Sequence, residues 1–170
     1  MKNLKWIPIV LMVTGMIISC GYHFEGGGYL KNNFKRVYVQ ILANRTSETG
    51  AETVFTNALV SEILQKTDTR VVDSAENVPV LKGTIKSVTF ETLSRSSSES
   101  VVERRVSARV DLELVDSDKK TVWSVTDFAW HEEYNVSADK ITDEANKKQA
   151  LEKIAHRIAE KLVGRMQNNF

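Results

Sequence analysis

Cys20 is the only cysteine in this 170-residue chain, and its neighbours define what its thiol can do. It directly follows an apolar run, Trp6 to Ile18, and the small residue Ser19. Only a thiol forms a stable thioether to a glyceride, and small Ser19 leaves the bond before Cys20 open to a peptidase. The other reactive residue types form no constellation. His23, His131 and His156 sit on different elements without ligand spacing, so no metal site is expected. Ser96-Ser97-Ser98 lack a Gly-x-Ser-x-Gly frame and a nearby base. Glu132 and Glu133 alternate across a strand and cannot both face one substrate. The chain is expected to be no enzyme and to need no cofactor.

The residues before Cys20 must deliver it. Met1-Lys2-Asn3-Leu4-Lys5 is short and basic, the apolar run follows, and Ser19-Cys20 closes it, which is the tripartite layout of a secretory signal. The run falls short of the ~20 residues a spanning helix needs, which argues against a transmembrane anchor. Its end resembles a bacterial lipobox, which makes residues 1–19 a lipoprotein signal peptide and Cys20 the lipidated mature N-terminus. Each buried methylene adds about 0.8 kcal/mol, so one chain anchors marginally while two or more hold firmly. Gly21 stands where an inner-membrane retention signal often has Asp, which favours the periplasmic side of the outer membrane.

Composition narrows the class further. Of the 23 Lys and Arg, Lys2 and Lys5 leave with the signal, so the mature chain is near neutral against 22 Asp and Glu. No bulk attraction to nucleic acid is expected. With Cys20 acylated no disulfide can form, and the fold must rest on its core. Residues 20–34 mix glycines with spaced aromatics and read as a lipidated tether. Gly26-Gly27-Gly28 is no phosphate cradle, since no Lys-Ser/Thr follows. Residues 35–170 are long enough for one domain.

That domain reads as a first strand over Arg36 to Leu42, a turn at Asn44-Arg45-Thr46-Ser47, and a helix capped near Thr49 and running to about Lys66. Val54, Phe55, Ala58, Leu59 and Ile63 form the helix's apolar stripe. A brief strand covers Thr69 to Val72. In Val80 to Thr92 the apolar parity shifts near Lys86-Ser87, which predicts a bulge. Val101 to Val115 alternates, with Val102, Val106, Ala108, Val110, Leu112 and Leu114 on one side and charges on the other. Thr121 to Tyr134 places Val122, Phe128 and Trp130 on one face but Trp123, Val125 and Ala129 on the other, so both faces are expected to be partly apolar. Asp143 to Met166 is the strongest helix signal, its stripe running from Leu151 to Met166. The fold class is α+β: a two-layer sandwich, a mostly antiparallel four- to five-stranded sheet with two helices on one face, in the order β-α-β-β-β-β-α.

Cys20-Gly21-Tyr22-His23-Phe24, strand Val37-Tyr38-Val39-Gln40-Ile41, Asn44-Arg45-Thr46, Phe55-Thr56-Asn57-Ala58-Leu59 and Val78-Pro79-Val80-Leu81-Lys82-Gly83-Thr84-Ile85 follow one another in an order that resembles the lipopolysaccharide-assembly lipoprotein family, LptE. The resemblance implies a plug inside an outer-membrane β-barrel, the LptD partner, that helps the barrel assemble and helps lipopolysaccharide reach the outer leaflet. It implies no catalysis. In that family, basic residues of the equivalent hairpin loop and before the last helix are implicated in lipopolysaccharide contact. Arg95 matches the first by location and Lys140 the second loosely, while Arg105 and Arg109, four apart on the wet face of their strand, join them as lipopolysaccharide-binding candidates. Arginine's planar fork suits phosphate better than lysine does. The alternative is a pilotin-like or structural envelope lipoprotein serving a different channel.

Overall fold

The computed structural model describes residues 27–95 and 101–167. Strand β1 (Arg36–Val39) and a two-residue strand β2 (Ala43–Asn44) precede helix α1 (Ala51–Lys66). Strands β3 (Arg70–Val72), β4 (Val80–Arg95), β5 (Val101–Val115) and β6 (Thr121–Asn135) follow, and helix α2 (Lys140–Gln167) closes the chain. One six-stranded sheet runs in the order β3-β1-β4-β5-β6, with β2 also on β4. Both helices bury their apolar stripes against the same side of it, joining Val106, Val110, Leu112 and Leu114 in one core.

The sheet is mixed and has six strands, which corrects the expected mostly antiparallel sheet of four or five. β4-β5-β6 form an antiparallel ribbon, but β1 runs parallel to both β3 and β4, and β2 runs parallel to β4. The physical reason is the α1 crossover, which returns the chain to the end it left and so makes β3 parallel to β1. β2 is too short for periodicity to reveal. It is held by the Arg45 N–H donating to the Ile85 carbonyl, and by Asn44, whose side chain accepts from the Thr46 amide and donates to the Glu48 carbonyl.

Several local expectations shift. Gly50, the neighbour of Thr49, caps α1 at φ 84°, and no side chain completes the cap. In α1, Thr56 and Glu62 are buried beside Phe55, Leu59 and Ile63. Thr56 is satisfied on both sides, donating to the Glu52 carbonyl and accepting the Leu42 N–H. Packing begins before residue 35: Leu30 is 1% exposed, and its amide donates to the Thr69 hydroxyl.

The two long edges of the ribbon carry bulges that face each other across β5. Lys86 is the extra residue between Ile85 and Ser87, as the parity shift predicts. In β6, Thr126 and Asp127 together oppose Asp111, and Asp127 adopts φ 53°. This second bulge overturns the expectation of two partly apolar faces. It returns Trp123 and Val125 to the side of Phe128 and Trp130, where they pair with buried Leu114, Leu112, Val110 and Ala108. Of the residues expected on the other face, Ala129 alone stays there, opposite Arg109. The back of the sheet is therefore polar.

Charge fills that back face where the bulges meet. Lys86 Nζ lies 2.7 Å from Asp127 and 3.5 Å from Asp111, and the Asp127 amide donates to Asp111 Oδ1 at 2.7 Å. The hydrogen bond from Lys86 holds the Asp127 carboxyl below its usual range, and the same bond raises Lys86. A depressed carboxylate contributes stability above the ordinary carboxylate range and loses it as acid protonates the folded form. Replacing Lys86 by methionine is expected to move the Asp127 titration upward, toward the ordinary range, as followed by carboxyl-carbon NMR. An unchanged titration would show that the ammonium does not hold it.

Candidate functional site

The described chain enters at one end of the sandwich. Gly28 accepts the Asp68 amide just past the end of α1, and Gln167 of α2 donates to the Lys66 carbonyl nearby. The opposite end is formed by the finish of β4, the start of β5, the finish of β6 and the start of α2. There the Val136 amide donates to the Val102 carbonyl, and Arg104 reaches Asp143 of α2 at 3.9 Å. Asp139 caps α2 by accepting from the Thr142 amide and hydroxyl, and these bonds, the hydroxyl first, hold its carboxyl below the usual range.

This far end combines cations with exposed apolar side chains. Arg95 ends β4 and Lys140 is the first residue of α2, not a loop residue as expected. Among them Leu93, Val102 and Ile141 are exposed, Ile141 to 81%. Val102 follows the alternation of β5 but lies at the strand's outer end, where it is 41% exposed. The exposure of Ile141 could have been read from its place ahead of the α2 stripe. Cationic and apolar groups on one surface suit an amphiphile with anionic head groups.

Arg105 and Arg109 are held apart from this end. Both point to the back of the sheet and already face carboxylates: Arg105 lies 2.7 Å from Glu133, and Arg109 lies 3.9 Å from Asp127. An anion there would compete with partners already in place. The ribbon's other face is closed by cations of α2. Lys153 pairs with Glu132 at 2.6 Å, while Lys147, Lys161 and Arg165 lie over the rings of Phe90, Trp130 and Phe128. Burial opposes the charge on Glu132, yet the bonds from Lys153 and Trp130 leave its carboxyl below the usual range.

Among the described residues no group of three His, Cys, Asp or Glu is placed to hold a metal, and no helix is long and apolar enough to cross a membrane. His131 stacks on Trp130, and His156 lies 3.9 Å from buried Glu62. Cys20, His23 and the hairpin residues 96–100 lie outside the described residues.

The LptE family, described as lipopolysaccharide-assembly, matches residues 34–166. No curated protein matches the sequence significantly. Among solved structures, an uncharacterized lipoprotein B from Nitrosomonas europaea is similar over 78% of this chain and 84% of its own, at 18% identity and a TM-score of 0.51. Rare lipoprotein B from Shewanella oneidensis is similar over 74% of this chain and 92% of its own, at 17% identity and a TM-score of 0.50. At such identities the likeness speaks for the fold alone.

Proposed function

The chain belongs to the LptE family of lipopolysaccharide-assembly proteins, and on that premise we propose that it is an outer-membrane lipoprotein, acylated at Cys20 on the periplasmic side, that plugs and helps assemble an LptD-like β-barrel and assists lipopolysaccharide on its way to the outer leaflet. Its role is to bind and position, without catalysis. Beyond the family match, the reading is supported most by one surface: the far end where Arg95 and Lys140 accompany exposed Leu93, Val102 and Ile141. Phosphates and acyl chains of one ligand can meet both kinds of group there. Arg104, already turned toward Asp143, adds positive charge beside them.

Two measurements test it. The lipidated chain, drawn from detergent-solubilised membranes, is expected to bring down a large β-barrel protein; recovery of a secretin or of peptidoglycan instead would overturn the reading. Purified lipopolysaccharide should bind the chain, and Arg95→Ala with Lys140→Ala should weaken binding about ten-fold or more. Arg105→Ala and Arg109→Ala should change it little, because both lie on the polar back of the sheet, away from the exposed apolar side chains. The opposite ranking would move the site to the back of the sheet.

A further inference from the structure

β6 is an edge strand, and among the described residues nothing pairs with its outer side. The direction of its backbone groups follows from two bonds. The Val136 amide donates to Val102 across the ladder, so the Asn135 backbone turns outward, where its carbonyl accepts from the Asn146 side chain at 2.9 Å. Antiparallel alternation then turns Glu133, His131 and Ala129 outward too, each with an N–H and a carbonyl free of β5. The Asp127 bulge ends this regular stretch below, and Asn146 closes it above.

A cleft of about 670 Å³ lies between this edge and α2, lined by Glu133, Tyr134, Asn146, Gln149 and Lys153 among others. Its charges are largely satisfied: Glu133 holds Arg105 and Lys153 holds Glu132. A ligand bearing strong charge gains little there. What remains unmet is a row of backbone donors and acceptors, repeating every ~7 Å along the strand, and an extended polypeptide matches that spacing. A row of unpaired edge donors and acceptors is a template for pairing with another chain.

A second copy of this chain does not fit. α2 runs directly along β6, with Arg165 over Phe128, Lys161 over Trp130 and Asn146 on Asn135. Pairing two β6 strands would set them ~4.8 Å apart and drive two helices of ~10 Å diameter into one another. The partner strand must therefore be bare of helical cover on that side, as the strands and strand-like segments of a β-barrel are. We infer that the edge of β6 from Ala129 to Glu133 receives an extended segment of the barrel partner by strand addition. This inference rests on the barrel partnership proposed above.

The test uses the full lipidated chain in membranes containing its partner. Ala129→Cys carrying a benzophenone is expected to cross-link to an extended segment of the barrel. His131→Pro removes an outward N–H without touching the ladder to β5, and it is expected to keep the thermal midpoint while lowering barrel recovery about ten-fold. Wild-type recovery with His131→Pro would overturn the inference but leave the partnership standing. An Ala129→Cys adduct that joins two copies of this chain, contains only lipid, or fails to form would overturn it as well, even if the proline variant does not fold. Failure of the unsubstituted chain to recover any barrel would instead overturn the partnership itself, and this inference with it.

Discussion

Gly83→Ala is expected to lower the free energy of unfolding by about 3 kcal/mol, at the upper end of what overpacking costs, measured by urea denaturation. A Cβ at Gly83 would overlap the carbonyl oxygen of Asp111 and Cδ2 of Leu112. The oxygen belongs to the backbone of the paired strand, so no rotamer change relieves it. β4 and β5 must separate at the fourth pair of the longest ladder of the fold. Gly164→Ala provides the contrast. It lies within α2 with no neighbour within 4 Å of its would-be Cβ, so the change is expected to stabilise by about 0.5–1 kcal/mol, because alanine loses less entropy in a helix. Equal responses at the two positions would refute the packing around Gly83.

Cys20→Ala is expected to abolish lipid anchoring. Without the thiol there is no thioether, no new N-terminus for acylation and no cleavage at that bond. The variant should incorporate no labelled palmitate and should retain its signal. Several acyl chains at about 0.8 kcal/mol per methylene hold a protein firmly, and the described domain has no apolar helix to replace them. Normal processing and membrane retention of this variant without label would end the lipoprotein reading. The prediction joins location to function, because the barrel partner proposed above would be met only where a lipid anchor holds the chain.

Much of the fold can be read from residue order, and the failures have specific causes. The Lys86 bulge is visible because Leu81 and Ile85 change parity with Val88 and Phe90. The same signal is present in β6, where Trp123 and Val125 change parity with Phe128 and Trp130. Periodicity alone cannot separate a bulge from a strand apolar on both sides, and the cross-strand register decides for the bulge. β2 has two residues, fewer than any alternation needs. Whether β1 lies parallel to β4 depends on which strands become neighbours, a long-range fact. Glu62 and Thr56 are buried against expectation for their types because α1 is covered on more than its apolar stripe. Of the candidate cations, Arg95 and Lys140 could be placed near one end from element order alone. The carboxylates that occupy Arg105 and Arg109 lie on β6, and nothing short of the register could match them.

The facing bulges at Lys86 and Asp127 divide the molecule mechanically. On one side of them β1, β2, β3 and α1 brace the sheet. On the other, from Ser87 onward, the three long strands lean on α2 through contacts such as Lys147 over Phe90, and Lys147 also pairs with Glu48 in the loop before α1. The protein is thus a broad six-stranded base that narrows to a three-stranded arm, and the amphiphilic end rides at the tip of that arm.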